Sequence, residues 1–189
     1  MVVNFKKTLL SGLMAVSLVA VSGGALAASA PVNVDVTFTG TILDNTCDTV
    51  SVANGGTVDF GNISQSDFSG GVGAVGATKS FTIDFTNCGT EAKDVDVWFV
   101  GNTTNAINAL DNPIAAGNAT DVGVQVWGGT GASTLLKSDD TSAKASYTNV
   151  LTSGANGSVD LVAKVVQTTA TTPSLGALNT SGTLVVQYP

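Results

Sequence analysis

Two thiols and a thin scatter of acids are the residues of this chain that could do chemistry. Cys47 and Cys88 stand about forty positions apart, and no other cysteine occurs. Such a pair can bridge, bind a metal or act as a nucleophile. A metal site needs further thiolate, imidazole or carboxylate ligands, yet there is no His and no third thiol. A nucleophile needs an adjacent base, and the usual one is missing. One disulfide is the simplest reading. Among the acids, Glu91 is the single glutamate. Asp139 and Asp140 are adjacent, so on a strand or turn their side chains point apart, as in a solvated loop rather than an acid–base pair. Asp111 and Asp121 flank a loop with Gly and Asn that could hold calcium, but the spacing departs from the twelve-residue calcium loop. No G-x-S-x-G elbow or phosphate loop appears. The expectation is a chain without a catalytic centre, metal or cofactor.

The elements around these residues begin with an export tag. Lys6 and Lys7 precede an apolar run from Leu9 to Val21 and the small-residue site Ala25-Leu26-Ala27. That order reads as a signal peptide over 1–27, with Ser17, Ser22, Gly23 and Gly24 interrupting what a membrane-spanning helix would keep apolar. An exported chain suits a disulfide. Once Lys6 and Lys7 are removed, five lysines face fourteen acids, a formal charge of −9, and no arginine occurs. So acidic a chain, with no basic patch, is not expected to bind nucleic acid or to anchor directly on a membrane.

Strand patterns fill the remainder. Val32, Val34, Val36 and Phe38 share one parity in "PVNVDVTF", near the start of the exported chain. "TVDFGNI" (57–63) reads as a strand. Phe81, Ile83 and Phe85 alternate with polar residues, as do Val95, Val97 and Phe99, then Val122, Val124 and Val126. Val159, Leu161, Ala163 and Val165 follow, and Leu184, Val186 and Tyr188 close the chain. Turn-forming "NGG", "SGGVGAVG", "GGTGAS" and "SGANGS" lie between them. "NAINALDNPIAAGNA" reads as a loop with a short helical turn, and "TSAKASYTNV" as a further strand. Short strands, Gly-rich turns and one disulfide argue for an all-β sandwich in a single domain.

Several of these features together resemble the chaperone–usher fimbrial subunits (pilins), in particular the type 1 fimbrial major subunit family. An alternating arm precedes Cys47, and Cys88 follows in a "DFTNC" context. "DVGVQVW" is similar to a mid-chain strand of the family. Tyr188 is a penultimate aromatic, and Gly176 stands fourteenth from the end. Family arms often carry a glycine among the alternating residues, where this one has Asn33 and Val34.

The resemblance implies an immunoglobulin-like sandwich lacking its final strand, completed by donor-strand complementation. Residues 28–40 would then be a donor-strand arm, inserting Val32, Val34, Val36 and Phe38 into a neighbour, and 41–189 the pilin domain. It implies three kinds of partner: a periplasmic chaperone, an outer-membrane usher, and neighbouring subunits in a self-polymer. The chaperone would contact the C-terminal strand at Gly176, Leu184, Val186 and Tyr188. The implied function is a structural subunit of a surface fimbrium, secreted through the periplasm and supporting cell adhesion. The alternative is a minor or adaptor pilin, or a small adhesin binding a surface ligand. Residues 28–189 leave no room for a lectin domain ahead of the pilin fold. Trp98 and Trp127, at strand positions, suit packing better than sugar stacking.

Overall fold

A computed structural model describes residues 46–90, 94–137, 142–151 and 156–189 of the chain. The arm residues Val32, Val34, Val36 and Phe38 lie outside the described residues, as do Glu91, Asp139 and Asp140. The described part is all-β. Its strands are β1 (Cys47–Val52), β2 (Val75–Cys88), β3 (Val95–Val100), β4 (Leu110–Asp111), β5 (Val122–Gly128), β6 (Thr134–Leu135), β7 (Ala145–Tyr147), β8 (Gly157–Gln167) and β9 (Thr183–Gln187).

The strands form two sheets. One runs β1-β2-β8-β5-β4, with β6 also on β5; the other runs β7-β3-β9. Every ladder between these strands is antiparallel. The parity read from the sequence sets which side chains meet between the sheets. Ile83, Phe85, Val95, Val97, Leu161 and Val165 are all fully buried. Full burial of such side chains stabilises by about 1.5–3 kcal/mol each, which is what holds two sheets face to face.

Cys47 and Cys88 are disulfide-bonded, and no free cysteine is present among the described residues. They face each other across the β1–β2 ladder, so the bridge ties the first strand to the sheet. On a chain-entropy account, closing a loop of this length removes about 4 kcal/mol of unfolded-state freedom. At its other end β2 shifts register between Val75 and Ala77. There Gly76 lies flat on the Phe68 ring, where a Cβ would come within 2.3 Å of it.

Three readings of the sequence differ from the fold. Residues 57–63 join no ladder; the Gly61 amide donates to Asp59 Oδ1 at 2.8 Å and turns the chain, while Val58, Phe60 and Ile63 still pack on the core. The 105–119 stretch is a loop carrying a two-residue strand, β4, rather than a helical turn. Gly176 is not on the C-terminal strand: β9 begins at Thr183, and Gly176 belongs to the loop before it. A Cβ at Gly176 would stand 2.4 Å from the Ala119 backbone nitrogen, with φ at +155°, so this glycine serves a close approach of two loops.

Candidate functional site

β1 and β9 are the outermost strands of their sheets, each paired on one side only. Between the sheets, on the side these two strands border, lies an open cleft of about 900 Å³. Its floor is apolar and draws on both layers: Phe81 from β2, Phe99 from β3, Val124 and Val126 from β5, Ala163 from β8 and Leu184 from β9. The stretches 56–63 and 176–182 form its rims. Phe81, Phe99 and Leu184 are only half-buried, although they sit on the inward parity of their strands.

The C-terminal strand faces inward as its alternation requires. Leu184 is opposite Phe99, and Val186 is opposite Val97. Tyr188, just past β9, sets its ring edge-on to Phe85 at 6.4 Å between centroids. Its hydroxyl is buried near the Cys47 backbone without closing a hydrogen bond of ordinary geometry, and burial pushes its pKa up. Leu184 therefore belongs to the cleft, whereas Tyr188 belongs to the filled core beside the disulfide. Gly176 lines the cleft from its rim, not from the strand.

The cleft is an apolar trough bordered by β9, a strand with one unpaired edge. It offers no constellation for catalysis: its lining carries one carboxylate, Asp59, and no cation or thiol. The family model for fimbrial proteins matches residues 36–189. The chain belongs to the fimbrial protein family.

This fimbrial chain is 32% identical over 173 residues to the type-1 fimbrial protein, A chain, of Escherichia coli strain K12, covering 88% of its own length and 90% of that protein. Its fold is similar to the P pilus rod subunit PapA, with a TM-score of 0.55 and 18% identity over 74% of this chain and 99% of that one. It is likewise similar to a subunit of a chaperone–usher pilus solved to explain rod uncoiling, with a TM-score of 0.54 and 20% identity over 83% and 96%. At such identities the likeness to the two solved structures is one of fold.

Asp111 and Asp121, the acids that flank the candidate calcium loop, hold hydrogen bonds within the fimbrial domain. Asp111 accepts hydrogen bonds from the Thr104 amide and hydroxyl and from Asn105 Nδ2, at 2.7–2.8 Å. Asp121 accepts from the Thr169 and Thr120 hydroxyls. Among the described residues no group of three or more metal-ligating side chains forms. Trp127 lies under the Lys164 ammonium at 4.4 Å, and Trp98 faces Val185 on the side of β3 away from the core.

Sequence reasoning missed one ion pair that joins a buried carboxylate to a partly solvated lysine. Asp96, 4% exposed, receives Lys144 Nζ at 2.5 Å. Burial alone would raise the carboxyl's pKa, but hydrogen bonds from Lys144 and Ser146, and the Lys144 charge, hold it below the ordinary value. The family resemblance implied an incomplete sandwich, but the residues lining the cleft were not named as a set. Phe81 and Phe99 were legible as inward residues, but nothing local says that they stand in the floor of an open cleft.

Proposed function

We propose that this fimbrial subunit polymerises by strand donation, its cleft receiving the 28–40 arm of another copy. The observation that carries this reading is the half-buried floor of Phe81, Phe99 and Leu184 beside the free edge of β9. A strand laid there would gain backbone hydrogen bonds along β9 and cover the floor with alternate side chains. The arm supplies that pattern in Val32, Val34, Val36 and Phe38, whose burial would contribute roughly 1.5–3 kcal/mol each. The Thr180 hydroxyl, buried in the cleft wall without a hydrogen bond, gives the incoming strand one polar point to meet. Because each copy gives one arm and takes one, the joining does not close and yields a filament.

The same reading accounts for export and assembly. Residues 1–27 direct the chain to the periplasm and are removed. An open edge beside an apolar trough invites aggregation, so a periplasmic chaperone covers the cleft until an outer-membrane usher exchanges it for the next arm. Leu184 and Val186 are where a chaperone strand would pair, while Gly176 shapes the rim. The role is structural, without catalysis, at the cell surface, and adhesion belongs to the assembled fimbrium.

Deleting residues 28–38 tests it. The deleted subunit would accept an arm and offer none, so in trace amounts it caps growing fibres and shortens them while remaining at normal periplasmic level. A stable deleted subunit with unchanged fibre length would contradict strand donation. Disappearance of the subunit would instead mean that the arm completes its own domain.

A further inference from the structure

Among the described residues, two large apolar side chains are far more exposed than the others. Ile114 is 99% exposed and Leu175 is 83% exposed. A lone exposed apolar residue is ordinary. These two stand on loops that the fold locks together. The Ala119 amide donates to the Ala177 carbonyl at 3.0 Å, and the Ala177 amide donates to the Gly117 carbonyl at 2.7 Å. Asn112, nearly buried, ties both loops: its Nδ2 donates to the Ala119 and Ala177 carbonyls, and its Oδ1 accepts from the Asn179 amide. On the Ile114 side, Asn118 Nδ2 donates to the Pro113 carbonyl; on the Leu175 side, Ser174 Oγ accepts from the Thr120 amide. The two side chains thus stand on one hydrogen-bonded platform, with little ordering left to do on contact.

We infer that this platform, residues 112–120 with 173–179, is a second docking surface, and that its occupant is the body of the neighbouring copy whose arm fills the cleft. Three observations select that occupant. The platform is continuous with the cleft, because residues 176–178 line it directly. Neither loop contains a charged residue, whereas the mature chain is strongly acidic; two copies that repel elsewhere can approach at a neutral apolar site. Chain length does the rest. Since every ladder in the sandwich is antiparallel, a strand completing it in kind runs antiparallel to β9 and leaves the cleft at the Thr183 end, where the 173–182 loop leads in. Cys47 follows Phe38 by only nine positions, a reach of about 30 Å at most. The donor's body is therefore held beside the platform. This inference rests on strand donation, and it adds a body-to-body contact that sets the angle between successive subunits.

Hydroxyl-radical footprinting of wild-type fibres reads it, with each side chain's reactivity normalised to the same peptide after unfolding. In fibres, Ile114 and Leu175 should react at least about fivefold more slowly than in the unfolded peptide, although nothing in the single domain shields them. Val72, 51% exposed and in neither loop, should stay within about twofold. Full reactivity of Ile114 and Leu175 in fibres overturns the proposal. A second arm uses the double variant Ile114→Asp with Leu175→Asp, at side chains that contribute little packing inside the domain. It should keep the wild-type urea midpoint and still join arm to cleft, yet give fibres of irregular curvature. Regular fibres from that variant also overturn the contact. Failure of strand donation looks different: a chain lacking residues 28–38 would then either form fibres of normal length or disappear from the periplasm.

Discussion

Along β2 the Phe85 ring is fully buried, while Phe81, four residues earlier on the same face, is half-exposed; along β3, Val95 and Val97 are buried and Phe99 is half-exposed. The same strands thus build a closed end and an open end. At the closed end the Cys47–Cys88 bridge, Phe85 and the edge-on Tyr188 fill the space between the sheets. At the open end the inward parity continues, but the cleft occupies the place where covering atoms would sit. Packing is therefore unequal in space: one end is filled and holds the two sheets together, while the other leaves inward-facing rings partly in water.

That division can be broken first at the closed end. Phe85→Ala should cost about 3–5 kcal/mol, because a fully buried ring leaves a cavity. Urea unfolding should show the same loss with the cleft empty or occupied. Next comes the bridge. Replacing both cysteines, Cys47→Ser with Cys88→Ser, should lower the unfolding free energy by about 4 kcal/mol or somewhat less. The cleft should keep its affinity for an added strand in whatever fraction remains folded.

The open end should respond in the opposite way. Phe99→Ala is expected to cost only about 1–2 kcal/mol in the empty domain, since the ring is already half in water. The cost should grow once a strand covers the site, and a double-mutant cycle against Phe38→Ala measures that growth. Equal cost in both states would erase the distinction between the ends.

The smallest effect belongs to Asp96. Its carboxyl is held below the ordinary value of 3.8. The native state therefore binds its proton less readily than the unfolded chain does. Its contribution is fully present above pH 3.8 and is lost as pH falls through the depressed value. Lys144 is partly solvated, so the effect should stay below about 1 kcal/mol. Urea midpoints followed between pH 6 and pH 2 should fall less steeply in Asp96→Asn than in wild type.

Much of this architecture was legible because strand parity is a local signal. Val95, Val97 and Phe99, or Leu184, Val186 and Tyr188, announce their inward face without reference to partners. β4 and β6 escaped because two residues carry no period. The 57–63 stretch has the composition of a strand but borders the cleft, where no ladder reaches it. Gly176 was assigned to the last strand by its distance from the C-terminus, whereas its role depends on residues 118 and 119, far away in sequence. The Asp96–Lys144 pair was invisible for the same reason: it joins two residues about fifty positions apart. A cleft is an absence of neighbours, and no single segment records that.

The most direct test of the account adds a synthetic peptide of residues 28–40 to the oxidised, arm-deleted chain and follows thermal unfolding. At a hundredfold excess over its dissociation constant the peptide should stabilise the domain by about 2.7 kcal/mol, a rise in Tm of roughly 5–10 °C. A peptide with the two parities exchanged, so that Asn33, Asp35 and Thr37 take the inward positions, should give no rise. An unchanged Tm with the native peptide, or an equal rise with both, would contradict the claim that the cleft is built to receive this strand.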